Sequence, residues 1–399
     1  MLKDAHYMIS VSSTSEFKIK GYPYPNFPLL LWSHSNEDIG TLSGALFEEG
    51  HQFLEFLLIK GGRIKSRESW KTYAAHLVSY FTFIEDNGLD WTDISDDGIT
   101  EMIVAVYRDA CLDDGMKSSS VNQHLRTVVR FYQFAVGQGW VSELPYSLVS
   151  IKTSKNKHDF LAHTKNDAGE VLSPDVMLST PKTLPKFLSK EEVQELLSAI
   201  KNPVVKLMTR LCLQTGIRKK ELLLFPLGLI RKPVEGRVIY RVEINRTKGE
   251  KERVIHIPHR LMKDLWHYTQ TIRHEQVMSH GTDKKGNPVF HSDLLFLNTN
   301  DYTEWKMGSG FNKALNDLGL DFKVNPHKLR HTYACHTLKG LQECKQGKFE
   351  PLMYLQRRLG HSSITTTMIY LEIVNDLMDD LALEYQDQIN EISAQDLCA

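Results

Sequence analysis

Apolar residues recur at three- and four-residue steps along most of the chain, in two blocks separated by a stretch without period. The first block, residues 42–149, predicts four amphipathic helices. Their apolar faces are Leu42, Leu46, Phe47, Phe53, Leu54 and Leu57; then Trp70, Tyr73, Leu77, Tyr80, Phe81 and Ile84; then Ile99, Ile103, Val106 and Tyr107; and last Val121, Leu125, Val128, Val129, Tyr132 and Ala135. Asn87-Gly88 stops the second helix, and Ser118 or Ser119 can cap the fourth. Four helices of this size make a small bundle. Upstream, residues 1–41 read as an irregular arm with some strand, since Met8-Ile9-Ser10-Val11-Ser12 alternates and Gly21-Tyr22-Pro23-Tyr24-Pro25-Asn26 is turn chemistry. Residues 150–186, with Lys152, Lys155, Lys157, Gly169, Pro174, Pro181 and Pro185, read as an exposed linker, basic at its start.

The second block, residues 187–375, opens on Ser189-Lys190-Glu191-Glu192, a capping box. Helices are predicted at about 190–200, 203–214, 259–278, 308–318, 327–339, 351–358 and 364–393. Residues 237–245 and 253–258 alternate like strands, with Lys248-Gly249-Glu250 as the hairpin turn between them. This predicts a mainly α chain: an N-terminal four-helix domain, then an α+β domain with a small antiparallel sheet. Residues 376–399 read as an acidic tail helix. Val374, Leu377, Met378, Leu381, Tyr385, Ile389 and Ile392 form one apolar stripe on it, suited to docking on its own domain or on a neighbouring protomer.

A length of 399 residues fits two domains rather than one core. No apolar run is long enough to span a bilayer, and the first 25 residues hold no apolar signal core, so a cytoplasmic location is expected. The five cysteines form no CxxC pair, so neither a disulfide framework nor a cysteine zinc site is expected. The net charge of −1 hides an uneven distribution. Residues 85–115 hold ten acids and one base, and residues 371–399 hold eight acids and no Lys or Arg. The remainder is therefore strongly basic, which allows a face for an acidic polymer such as nucleic acid.

Four short segments carry candidate chemistry. In Thr215-Gly216-Ile217-Arg218-Lys219-Lys220-Glu221-Leu222, Gly216 ends a helix and Arg218 begins another, an arrangement suited to an anion. Lys248 sits at the hairpin turn. In His327-Lys328-Leu329-Arg330-His331, the residues His327, Arg330 and His331 share one helix face. Zinc on the two histidines is disfavoured, because Lys328 stands where the zincin pattern has Glu and Arg330 shares the face. An oxyanion suits the planar guanidinium fork better. His336 continues that helix as a packing or surface residue. In Leu359-Gly360-His361-Ser362-Ser363, Gly360 ends a helix, a serine can cap the next, and Tyr370 follows on it. Two arginines, a lysine and two histidines can surround one phosphate, and a tyrosine hydroxyl can attack it. No GxxxxGK[ST] loop and no acidic cluster for paired magnesium ions is evident, so no cofactor is expected.

The ordered set Arg218, Lys248, His327-x-x-Arg330, His361 and Tyr370 resembles the signature of the tyrosine recombinases, the phage integrase family. The resemblance covers roughly residues 45–375. Residues 73–83 and 122–139 are similar to the family's SAM-like core-binding domain. It implies two domains clamped around duplex DNA, and a 3′-phosphotyrosyl intermediate formed by Tyr370 without metal or ATP. It further implies that Arg218 and Arg330 bind the non-bridging oxygens and Lys248, or its rival Lys251, protonates the leaving 5′-oxygen. His327 would assist proton transfer from Tyr370, His361 would hydrogen-bond the phosphate, and His331 would support the site. The implied partners are double-stranded DNA, a tetrameric synapse of the same chain, and accessory DNA-bending proteins. The first role expected is the integrase of a mobile genetic element. A resolvase of chromosome dimers and a non-cutting DNA-binding regulator on the same fold are the alternatives, with a type IB topoisomerase fitting less well.

Overall fold

The structure, a computed structural model, describes residues 6–34, 43–61, 64, 66–93, 103–152, 170–181, 184–244, 252–306, 308, 310–343 and 350–375. It divides into two compact units, residues 1–182 and 183–399.

The first unit opens with five strands: β1 (His6–Ser12), β2 (Lys18–Ile19), β3 (Tyr22–Pro23), β4 (Pro28–His34) and β5 (Ser43–Leu46). β1, β4 and β5 form one antiparallel sheet, with Met8 opposite Trp32 and Leu31 opposite Leu46; β2 and β3 pair separately. Helices α1 (Glu48–Glu55), α2 (Trp70–Asp86), α3 (Ile103–Asp113) and α4 (Ser118–Gln138) follow, α1 running on into a π-helical turn at Phe56–Lys60. Met8, Phe27, Leu30 and Phe47 are buried in the same core as Leu77, Phe81, Val128 and Phe131. The described residues before α1 are therefore a layer of this unit, whereas residues 1–41 read as an irregular arm; Ser43–Leu46, read as the start of the first helix, is instead β5, because its backbone pairs with β4. The apolar run Leu29-Leu30-Leu31 hides the period of β4, which the pairing with β1 reveals.

Asn87 ends α2, and Gly88 adopts φ of +63° beyond it. The N-cap of α4 is Lys117, without a side-chain cap, so Ser118 and Ser119 lie inside the helix instead of capping it. Between α2 and α4 the buried hydroxyls of Tyr80 and Tyr132 lie 2.7 Å apart, and His76 Nδ1 lies 2.8 Å from Thr127 Oγ1. These polar groups are satisfied inside an otherwise apolar core, as burial requires. The stretch expected as a linker contains a strand pair, β6 (Leu148–Lys152) and β7 (Glu170–Pro174). Val149, Val171 and Leu172 on it are exposed, so no core side imprints a period on the sequence. The Asn122 side chain then grips the Leu178 backbone in both directions, at 2.8 and 2.9 Å.

In the second unit the Ser189 capping box opens α5 (Lys190–Ala199), with both reciprocal hydrogen bonds present. Asn202 caps α6 (Pro203–Thr215), which begins on proline, where a missing N–H costs nothing. Then come α7 (Lys219–Leu223), β8 (Ile239–Ile244), β9 (Arg253–Pro258), α8 (His259–Gln270) and α9 (Ile272–Met278). β8 and β9 are antiparallel with Ile244 opposite Arg253, and the predicted single helix over 259–278 breaks at Thr271. Next are α10 (Gly310–Asn316), α11 (Pro326–Glu343) and α12 (Pro351–Leu359). A final helix, α13, spans residues 365–375. The tail expected over 376–399 lies outside the described residues. The main core of this unit gathers α6, α8 and the sheet. A second cluster holds Tyr370, Ile373 and Val374 of α13 against Cys335 and Leu338 of α11 and Leu355 and Leu359 of α12. Cys111, Cys212 and Cys335 are buried free thiols. Among the described residues no helix is long and apolar enough to cross a membrane.

Candidate active site

Two helix ends build the floor of the site. α6 stops at Gly216, φ +62°, and α12 stops at Gly360, φ +64°. A side chain at residue 216 would collide with the Tyr333 ring, 2.4 Å from the ideal Cβ position; at residue 360 it would meet Arg253 Cδ at 2.8 Å. Both turns thus need glycine for conformation and for space. They also present backbone carbonyls that helices leave unpaired at their C-termini, where cations are favoured. Arg330, buried on α11, donates to Gly216 O and Leu359 O, each at 2.6 Å. Arg218, the N-cap residue of α7, donates from Nη2 to Gly360 O at 3.1 Å. Arg330 is thus fixed to the ends of both α6 and α12, and Arg218 to the end of α12.

Glu221, one turn into α7, is buried and binds two arginines. Arg218 Nη1 donates to its Oε1 at 2.8 Å, and the Arg218 backbone N–H donates to Oε2 at 2.9 Å. Arg253, at the start of β9 and also buried, donates to the same Oε2 and to Arg358 O. Burial pushes the Glu221 pKa up, but Arg253 and Arg218 outweigh it and hold the carboxyl below its usual range. Burial also lowers that of Arg253, whose guanidinium starts so far above neutrality that it stays cationic. Arg253 was not among the sequence candidates. Its period-two position in β9 marks it as inward-facing, and this was the signal available.

The histidines divide by their partners. His361 Nε2 lies 3.1 Å from Arg330 Nη2, and a guanidinium only donates. Nε2 is thus an acceptor, and Nδ1 carries the proton and donates to Thr367 Oγ1 at 3.0 Å. Burial, then Arg330 and Arg218, hold this imidazole down at about 3, in keeping with its neutral form. Tyr370 is buried, its ring stacked near-parallel to His361 with centroids 6.3 Å apart. Burial raises its phenol to about 12 although Arg330 pulls the other way. The Tyr370 hydroxyl lies 2.8 Å from His331 Nδ1, within hydrogen-bond distance. Burial, with His327 and Arg330, lowers His331 to about 4, so it too is neutral. His327 is exposed, its ring edge-on to His331 at 4.4 Å. The nitrogen on the Tyr370 hydroxyl therefore belongs to His331 rather than to His327, the histidine expected to serve it. His336 donates to Leu188 O at 2.8 Å and packs on Phe187, a packing role as expected.

Arg218, Arg330, His361, His331 and Tyr370 thus converge in one place, and Lys248 and Lys251 lie outside the described residues. A cleft of about 630 Å³ opens beside Arg218 and His361 and is lined also by Arg253, Arg357 and Arg358. Such a set suits a phosphate: fixed cationic donors, neutral imidazoles and a phenol. Among the described residues no group of three or more His, Cys, Asp or Glu side chains could hold a metal ion.

The phage integrase family matches residues 186–375, and the phage integrase N-terminal SAM-like domain matches residues 51–139. The chain belongs to the phage integrase family, the tyrosine recombinases. It is 27% identical over 270 residues to tyrosine recombinase XerC of Halalkalibacterium halodurans, covering 66% of this chain and 74% of that one. It is 24% identical to XerD of Staphylococcus epidermidis strain RP62A, covering 81% and 92%, and 28% identical to XerH of Campylobacter jejuni, covering 69% and 68%. In fold it is similar to the XerH recombinase bound to a palindromic difH substrate, with a TM-score of 0.51, 18% identity, and coverage of 84% and 85%. It is equally similar to a lambda integrase dimer bound to a core site, with a TM-score of 0.51, 16% identity, and coverage of 80% and 94%. The mainly helical fold with a SAM-like first domain is thus that of the tyrosine recombinases.

Proposed function

We propose that this tyrosine-type site-specific recombinase cuts and rejoins duplex DNA through Tyr370, which attacks the scissile phosphate, forms a 3′-phosphotyrosyl bond and releases a 5′-hydroxyl. The observation that carries this reading is the meeting of the Tyr370 phenol with Arg330, His361 and Arg218 at two glycine-ended helices. Arg218 and Arg330 would neutralise the pentacoordinate phosphate, both already fixed before substrate arrives, so little reorganisation is needed. His361 would donate to the phosphate from Nε2 once its proton has moved there from Nδ1 and the present hydrogen bond with Arg330 is given up. Lys248 would give the leaving 5′-oxygen its proton, with Lys251 as the rival for that role. The phosphodiester energy is kept in the tyrosine ester, and the reverse attack of a 5′-hydroxyl reseals the strand, so the chemistry calls for no nucleotide cofactor.

The partner is double-stranded DNA, with self-association into a tetramer for strand exchange. Most affinity would come from phosphate contacts and would fall with salt. The relatives carry Xer names, which favours a chromosome-dimer resolvase over the integrase of a mobile element as the biological role. The test is incubation with DNA flanking the chain's own gene, followed by denaturing electrophoresis. A protein–DNA band that survives denaturant is expected. Binding without any such band would favour the non-cutting regulator. A 5′-bridging sulfur at the scissile phosphate, a better leaving group, is expected to restore cleavage to Lys248→Ala; its rescue of Lys251→Ala instead would move the acid to that residue.

A further inference from the structure

The Tyr370 phenol must lose a proton as its oxygen becomes a phosphate ester, and three histidines stand near it. His361 is spoken for on both nitrogens: Nε2 accepts from Arg330 and Nδ1 donates to Thr367. His327 is exposed and touches the tyrosine's environment through the His331 ring. Among the described contacts of the three, only His331 has a ring nitrogen within hydrogen-bond distance of the phenol, 2.8 Å from Oη. It lies on α11 one residue past Arg330, so the helix that fixes the phosphate-binding guanidinium fixes this nitrogen as well. We propose that His331 is a catalytic residue, the base that takes the Tyr370 proton during cleavage.

This rests on the recombinase reading above. The step balances as follows. The Tyr370 Oη–phosphorus bond forms while the bond from phosphorus to the 5′-oxygen breaks. The phenol proton passes to His331 Nδ1, giving an imidazolium, and the leaving oxygen takes its proton from the general acid assigned to Lys248. Rejoining reverses each transfer and returns the imidazolium proton to Tyr370. Burial, then His327 and Arg330, keep His331 neutral in the free protein, and a phosphate anion on Arg330 would offset the last of these. In the free protein this contact holds the phenol in place, and burial keeps it protonated.

The test separates proton acceptance from positioning. His331→Asn keeps an acceptor oxygen near the place of Nδ1 but takes no proton. Cleavage of a nicked duplex from the gene's flanking DNA is followed in a single turnover. We expect the Asn variant to cleave about 10²–10⁴-fold more slowly, the usual range for a lost general base, with DNA binding within about threefold. A fluorinated tyrosine at position 370, whose phenol ionises nearer neutrality, is expected to recover most of that loss. His327→Asn is expected to slow cleavage less and to gain nothing from the fluorinated residue. Should the Asn variant melt well below the wild type, His331→Ala with added imidazole replaces it, and imidazole is expected to restore cleavage. Wild-type cleavage by either His331 variant overturns the assignment. So does a slow variant that neither fluorination nor imidazole rescues, or rescue of the His327 variant in its place. A wild-type protein that forms no adduct would instead defeat the recombinase reading itself.

Discussion

At the scale of single residues, the site is a set of cations aimed at carbonyls and held ready for an anion. Arg330 makes the point most directly, since it is buried and spends three donor contacts on Gly216 O, Leu359 O and His361. Lysine offers one point charge in place of the fork, so Arg330→Lys is expected to lower cleavage about 10²–10³-fold, read in single-turnover assays. Near-normal cleavage would contradict this geometry. The histidines predict an acid sensitivity. His331 is held at about 4, facing His327 and Arg330 from its own helix and Tyr370 from α13. His361 is held at about 3, facing Arg330, Arg218 and Arg253. In the unfolded chain both titrate near 6.5. Below that pH the unfolded chain binds more protons, so their contribution is whole above about 6.5 and is lost as pH falls toward about 4 and 3. The melting temperature should therefore drop between pH 7.5 and 5, and less steeply in His331→Asn and His361→Asn. An unchanged slope in both would count against the neutral assignments. Arg218, Arg330, His361 and Tyr370 were legible because side-chain type and order along the chain are sequence properties. The contact of Tyr370 with His331 rather than His327 was not: both share one helix face with Arg330, and only the position of Tyr370 on another helix separates them.

At the scale of elements, helix periodicity carried through to the bundle from Glu48 onward and to most of the second unit, while Ser43–Leu46, read as helix, is a strand. What escaped were elements whose order comes from partners far along the chain. The N-terminal sheet is fixed by β1 pairing with β4 and by burial against α2, neither of which leaves a period in an apolar run. The pair β6 and β7 exposes its apolar residues on the surface. The glycine ends of α6 and α12 were readable as stops, but their use as carbonyl acceptors for the arginines was not. Gly216→Ala tests that use. The left-handed conformation costs about 1–2 kcal/mol for a residue with a side chain, and the Tyr333 contact adds to it. A lower melting temperature is expected, with cleavage falling further than DNA binding because Gly216 O would shift under Arg330. A variant that melts lower but cleaves normally would show the turn to be purely structural.

At the scale of the whole molecule, a net charge of −1 conceals two acidic segments and a basic remainder, which alone left nucleic acid as one partner among several. The tail stripe begins inside the described residues, where Val374 is buried with Tyr370 against α11 and α12. A chain ending at Asn375 is accordingly expected to bind a single half-site but to fail in forming the four-protomer synapse, as read by native electrophoresis or light scattering with full-site DNA. A normal tetrameric complex from that chain would leave the tail as a helix on its own domain.

Covalent chemistry at Tyr370 is the claim on which the rest depends. The most direct measurement is digestion of the denatured protein–DNA adduct and mass spectrometry of the nucleotide-bearing peptide. The peptide containing Tyr370 is expected to carry the DNA through a 3′-phosphate, and Tyr370→Phe, which lacks only the hydroxyl, is expected to give no adduct while binding DNA within a few fold. An adduct on another residue, or one formed by the Phe variant, would contradict it.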